Sequence, residues 1–123
     1  MAATILIADD DAVQRRLVEN MVQKCGYETV VVDSGDAAMA MLTAPDTPPI
    51  DALVLDLVMP GVDGYELLDL MRADPRHART RVVVFTAHTE GLDLRRLVGR
   101  GVIEVVSKDE DTAQVVARLL AQE

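Results

Sequence analysis

Four carboxylates, a hydroxyl and an ammonium stand at positions where a fold could bring them together: Asp9-Asp10-Asp11, Asp56, Thr86-Ala87 and Lys108. Taken singly each has an ordinary explanation. Aspartates after strands often cap the next helix, a threonine at a strand end is unremarkable, and a loop lysine is usually solvated. Their shared context is less ordinary, because each follows a short apolar run. If the first and third runs are neighbouring strands, Asp10 and Asp56 face each other across a few ångströms. Two like charges about 4 Å apart repel by roughly 4 kcal/mol at an effective dielectric near 20, so such a cluster is not kept for stability. A divalent cation would relieve the repulsion, and a hard all-oxygen donor set with room for water suits Mg²⁺ better than a soft metal. A carboxylate in that setting can also attack phosphorus to give an acyl phosphate. The step needs in-line positioning and neutralised phosphoryl oxygens, and Mg²⁺, Lys108 and the Thr86 hydroxyl could each cover one. Ala87 is small enough to leave the entry open.

The elements that must position these groups are legible as alternating patterns. Apolar, β-branched runs at Thr4 to Ala8, Thr29 to Val32, Ala52 to Leu55, Val82 to Phe85 and Val102 to Val106 predict five strands. They are apolar on consecutive residues, the pattern of parallel strands covered on both faces. Helical spacing fills the intervals, at Val13/Leu17/Met21, Ala37/Ala38/Met41/Leu42, Leu67/Leu68/Met71, Leu94/Leu97/Val98 and Val115/Val116/Leu119/Leu120. Parallel strands need long right-handed crossovers, so this alternation predicts a doubly wound α/β sandwich with five helices. Functional groups in such a sheet collect beyond the carboxyl ends of the strands, where the acidic residues, Thr86 and Lys108 fall. Gly26 fits a helix stop, Ser34 and Asp111 fit N-caps, and the proline-rich segment from Thr43 to Pro49 reads as a loop.

Composition excludes several classes. The chain has 123 residues, half of them hydrophobic, in keeping with one domain. Its 21 Asp and Glu against 12 Lys and Arg give a net charge of −9, which argues against a nucleic-acid surface. The apolar run near the N-terminus is too short for a signal peptide or membrane span, so a cytoplasmic protein with no membrane contact is expected. Cys25, the only cysteine, carries no redox or zinc signal and is expected to be a buried helix residue. His77, in a charged stretch, is expected to be solvated, and so is His88, which could alternatively touch a phosphoryl group.

The runs Ile5-Leu6-Ile7-Ala8-Asp9-Asp10-Asp11 and Leu53-Val54-Leu55-Asp56-Leu57-Val58-Met59-Pro60-Gly61-Val62-Asp63-Gly64, with Thr86-Ala87 and Lys108, together resemble the response-regulator receiver family over the whole chain. The resemblance implies a flavodoxin-like three-layer sandwich with strand order 2-1-3-4-5, spanning residues 1–123 with no output domain. It implies that Asp56 is the phosphoacceptor, and that Asp9, Asp10, Asp56 and the Val58 backbone carbonyl hold Mg²⁺. Thr86, Ala87 and Lys108 would bind the phosphoryl group and switch the domain, and Asp11 would be a cap or outer-shell acid. The protein would accept the phosphoryl group from a histidine kinase or histidine phosphotransfer protein without being an enzyme in its own right. Its downstream protein target would dock on the face of the fourth helix, fifth strand and fifth helix.

Three departures bear on output. Asp109 stands where the family usually has a proline after the lysine, so a trans Lys108-Asp109 peptide is expected. Val105 replaces the aromatic ring that rotates on activation, so the switch should act through the backbone from Thr86 to Gly91 and the helix that follows. Val58 and His88 occupy positions that influence phosphoryl lifetime. Competing readings fit less well. An aspartyl phosphatase of the haloacid dehalogenase type needs a second acid where Val58 stands, and a flavin or nucleotide binder would not place acids beside a phosphate. A receiver-like interaction module that is never phosphorylated is the remaining alternative.

Overall fold

The computed structural model describes residues 3–87, Leu92 and 94–108. Five parallel strands, β1 (Thr4–Ala8), β2 (Glu28–Val32), β3 (Ala52–Leu55), β4 (Arg81–Thr86) and β5 (Val102–Ser107), form one sheet in the order β2-β1-β3-β4-β5. The helices α1 (Ala12–Lys24), α2 (Gly35–Thr43), α3 (Gly64–Ala73) and α4 (Leu94–Val98) connect them in alternation. The predicted fifth helix, with its cap at Asp111, lies outside the described residues, as do His88, Gly91 and the Lys108-Asp109 peptide.

Successive residues of a strand point to opposite faces, and the core divides accordingly. On one face Leu6, Ala8, Leu53, Leu55, Val82 and Val84 pack with Ala38 and Leu42 of α2, Leu67, Leu68 and Met71 of α3, and Leu97 of α4. On the other Ile5, Ile7, Ala52, Val54, Val83 and Phe85 pack with Val18 and Val22 of α1. The strands therefore read as unbroken apolar runs because both faces are covered. This holds for β1, β3 and β4. It does not hold for β2, an edge strand whose Val31 is exposed while Val30 and Val32 reach the core. No helix among the described residues is long and apolar enough to cross a membrane.

The local signals act as expected where the partner is close in sequence. Asp11 is the N-cap of α1, accepting from the Val13 and Gln14 N–H groups, and Ser34 caps α2 through the Ala37 N–H. Two further expectations are overturned. Cys25 is exposed, because α1 ends at Lys24 and the chain turns away at the C-cap into Gly26 with φ +91 before Cys25 can share the face of Val18 and Val22. His77 is buried at 3% exposure. Its Nε2 lies 2.9 Å from the Leu42 carbonyl at the end of α2. A carbonyl only accepts, so Nε2 carries the proton, and Nδ1 is left buried without a hydrogen bond. Arg76 reinforces the corner, donating to Leu42 O at 2.9 Å and Ala44 O at 2.8 Å, so that cationic and N–H groups satisfy the last carbonyls of α2.

The α3–β4 corner therefore holds α2 in place. Replacing His77 by Ala should destabilise the protein by about 2 kcal/mol, combining a lost buried ring with a lost hydrogen bond that Arg76 only partly covers. Urea unfolding checks this: a midpoint fall at unchanged slope is expected, and a midpoint equal to that of the wild type would show that the ring contributes nothing.

Candidate functional site

Parallel pairing of β1 with β3 sets Ala8 beside Leu55, so the next residues, Asp9 and Asp56, leave the sheet side by side. The ladder continues one step beyond the strands, with Asp56 N–H donating to Ala8 O at 2.9 Å and Asp9 N–H to Val32 O at 3.2 Å. Both carboxylates are therefore fixed by backbone that cannot drift. Asp9 and Asp56 are buried and Asp10 is exposed. Each of the three offers a carboxylate oxygen within 4.8 Å of the other two.

Lys108 completes the cluster from the far side of the sheet. Thr86 pairs with Ser107 in the β4–β5 register, and Lys108 N–H donates to Thr86 O at 2.9 Å, which fixes the start of the side chain. Its Nζ donates to Asp9 Oδ1 at 2.7 Å and to Asp56 Oδ2 at 3.0 Å. The remaining partners are backbone amides: Asp11 N–H donates to Asp9 Oδ1 at 2.9 Å and Val58 N–H to Asp56 Oδ1 at 3.1 Å. Arg15 of α1, which no motif or spacing singles out, donates from a guanidinium nitrogen to the Asp9 carbonyl at 2.8 Å.

The charges respond to this packing. Burial raises the Asp9 carboxyl above its ordinary value, and the neighbouring Asp56 charge adds to the rise, although the Lys108 and Asp11 hydrogen bonds pull the other way. Burial disfavours the Lys108 ammonium, yet its hydrogen bonds to Asp9 and Asp56 outweigh that and raise its pKa. Two buried carboxylates thus share one cation, Lys108, and a third carboxylate, Asp10, stands beside them in solvent.

Of the other residues singled out from sequence, Thr86 is fully buried at the end of β4 and Ala87 after it is exposed. Val58 is 55% exposed beside Asp56. Val105 sits half-buried on β5, packed against the core cluster of the α2, α3 and α4 face. The structure thus brings Asp9, Asp10, Asp56 and Lys108 into one group, with Thr86, Ala87 and Val58 on its rim by chain adjacency, and leaves Val105 to the core.

Hard oxygen donors at this spacing, one of them open to solvent, fit a small divalent cation. Comparison with known proteins identifies the family. Residues 5–120 match the response regulator receiver domain. The chemotaxis protein CheY of Pseudomonas aeruginosa is 35% identical over 113 residues, covering 91% of this chain and 88% of that protein. The DNA-binding response regulator MtrA of Mycobacterium tuberculosis is 29% identical over 122 residues, covering 99% of this chain and 51% of its own length, so this chain spans about half of that relative. The receiver domain of the sensor histidine kinase PA1611 from Pseudomonas aeruginosa, solved with a magnesium ion coordinated in its active site cleft, shares the fold at a TM-score of 0.80 and 23% identity, covering 98% of this chain and 97% of that one. With the family matched over nearly its whole length and the strand order that family requires, the chain belongs to the response regulator receiver domains of two-component signal transduction.

Proposed function

We propose that this chain accepts a phosphoryl group on Asp56 from a phosphohistidine, with Mg²⁺ held by the Asp9, Asp10 and Asp56 carboxylates and the Val58 backbone carbonyl, and that the change is read by a protein partner. The observation that carries this reading is the meeting of three carboxylates with one ammonium at the carboxyl edge of the sheet. The donor is a histidine kinase or a histidine phosphotransfer protein, which would place the chain in the cytoplasm. Magnesium found in the PA1611 receiver domain supports the choice of ion.

Among the carboxylates, Asp56 is the best placed nucleophile. Asp9 Oδ1 is gripped by both Lys108 and the Asp11 N–H, whereas each Asp56 oxygen accepts a single hydrogen bond. Asp56 is flanked by exposed Val58, and exposed Ala87 marks the neighbouring strand end. Its two oxygens are held apart in role, Oδ1 by the Val58 N–H and Oδ2 by Lys108, which fixes the carboxylate plane before a donor arrives. An Asp56 oxygen attacks phosphorus, the phosphorus–nitrogen bond to the donor imidazole breaks, and the imidazole leaves with the electron pair. The product is a mixed anhydride on Asp56. When bound, Mg²⁺ supplies positive charge to the phosphoryl oxygens. Lys108 can turn its ammonium from the carboxylates toward the same oxygens, and the Thr86 hydroxyl can reach a third. The chain acts as a phosphoacceptor that shares in its own phosphorylation and dephosphorylation.

Output follows from Thr86. If its hydroxyl is drawn toward the phosphoryl group, the space behind it must be filled, and Val105 is too short and too stiff at χ1 to swing in as a ring would. The displacement passes instead to the segment after β4 and to α4. That helix is tied to α3 by Arg96, stacked 4.1 Å from the Tyr65 ring centroid, and the turn after it is tied there by Arg100, which pairs with Asp69. We place the partner surface on the face of α4, β5 and the segment that follows β5.

Incubation with a small phosphodonor and Mg²⁺ should add one alkali-labile phosphoryl group by mass spectrometry, and Asp56→Asn should abolish it; unchanged labelling of the variant would remove Asp56 from its role. Hydrogen exchange with and without a phosphoryl mimic should change between Thr86 and Val106. A change restricted to α1 would move the partner surface there.

A further inference from the structure

Val58, whose carbonyl is assigned to the metal, sits in the loop between β3 and α3, just after Leu57, whose carbonyl accepts from the Gly64 N–H at 3.2 Å. Residues 58–62 carry no helix or strand. Leu57 and Met59 bury their side chains on either side of Val58, which itself stays in solvent. Val58 N–H goes to Asp56 Oδ1, a bond within the same turn. Among the described residues, the two hydrogen bonds that tie this loop to a separate element both come from the first residues of α2. Gly35 N–H donates to Pro60 O at 3.1 Å, and Val62 N–H donates to Asp36 Oδ1 at 3.1 Å.

The fit between the two segments is close. A Cβ on Gly35 would fall 1.6 Å from the Val62 carbonyl oxygen. A Cβ on Gly61, whose φ is +81, would fall 2.5 Å from the Asp36 carboxyl. Asp36 is not needed to cap α2, since the Ser34 side chain already accepts from the Ala37 N–H. Its charge is welcome in the first turn, where the helix dipole favours a carboxylate. It is thus free to reach a loop 26 residues away along the chain and accept a hydrogen bond there.

We propose that Asp36 is a positioning residue for the metal site: its carboxylate anchors the 58–62 loop and so keeps the Val58 carbonyl in register with Asp56. Peptide units are planar, so the direction of a carbonyl is set by the backbone on both sides of it. On one side the backbone is fixed by the Asp56 ladder bond. On the other, Met59 is anchored in the core and the Gly35 and Asp36 bonds hold the rest of the loop. The inference rests on the assignment of Asp56 and Val58 made above.

The test compares wild type, Asp36→Ala and Asp36→Asn as full chains, by Mg²⁺ titration followed through amide chemical shifts and by amide exchange in metal-free protein. Asp36→Ala should weaken Mg²⁺ binding about three- to tenfold and speed exchange at Val62, the size of effect one hydrogen bond supports. Asp36→Asn keeps an oxygen that accepts from the Val62 N–H and should stay within about twofold of wild type on both readouts. Gly61→Ala, whose Cβ would meet the same carboxyl, should also weaken Mg²⁺ binding. Faster Val62 exchange with unchanged Mg²⁺ affinity in Asp36→Ala would overturn the positioning role and leave the metal assignment standing. An Asn variant as impaired as the Ala variant would overturn the hydrogen bond as the cause. A wild type that shows no response to Mg²⁺ would overturn both this inference and the assignment on which it rests.

Discussion

Mutual repulsion among Asp9, Asp10 and Asp56 is the constraint to which the edge of this sheet answers. Like charges about 4 Å apart cost roughly 4 kcal/mol at an effective dielectric near 20, and here three carboxylates lie within 4.8 Å of one another with two of them buried. Lys108 bridges Asp9 and Asp56; burial, with a smaller contribution from the Asp56 charge, raises the Asp9 carboxyl, and the two carboxylates raise the Lys108 ammonium against its own burial. An ion pair of this kind is not surplus stability. Replacing it with apolar groups would often be neutral, whereas removing only the cation leaves uncompensated buried charge.

Everything around the cluster serves to stop it from relaxing. The carboxylates leave β1 and β3 one step past a parallel ladder, Lys108 leaves β5 one step past another, and the strands are covered on both faces by α1 and by α2 with α3. A close-packed core transmits strain poorly tolerated at any one point, so the acids cannot separate without disturbing the sheet. The same rigidity provides a route outward. In the proposed switch a change at the cluster would pass from Thr86 to α4, which Arg96 ties to α3, and to the turn after α4, which Arg100 ties to α3.

Much of this could be read from the sequence because it depends on local or periodic features. Asp11, Ser34 and Gly26 do their work within a few residues of themselves, and the five apolar runs with helical spacing between them leave few other arrangements. Asp9, Asp10, Asp56 and Lys108 were legible because a parallel sheet collects its strand ends on one edge. The rest depends on partners far along the chain. His77 is buried by a carbonyl 35 residues earlier, and Asp36 meets Val62 across 26 residues. Neither distance has a periodic signature. Cys25 was misjudged because burial there depends on where α1 stops, and β2 because its exposure follows from an edge position that apolar content does not encode.

Lys108 relieves the repulsion among these carboxylates, and a divalent cation would relieve it further. Thermal unfolding of wild type and Lys108→Ala across a series of Mg²⁺ concentrations tests this most directly. Without Mg²⁺ the variant should be less stable by about 2 kcal/mol, the worth of hydrogen bonds to charged partners, and added Mg²⁺ should raise the variant's unfolding temperature more than that of the wild type. A variant as stable as wild type in the absence of metal, or a difference that Mg²⁺ does not narrow, would contradict it.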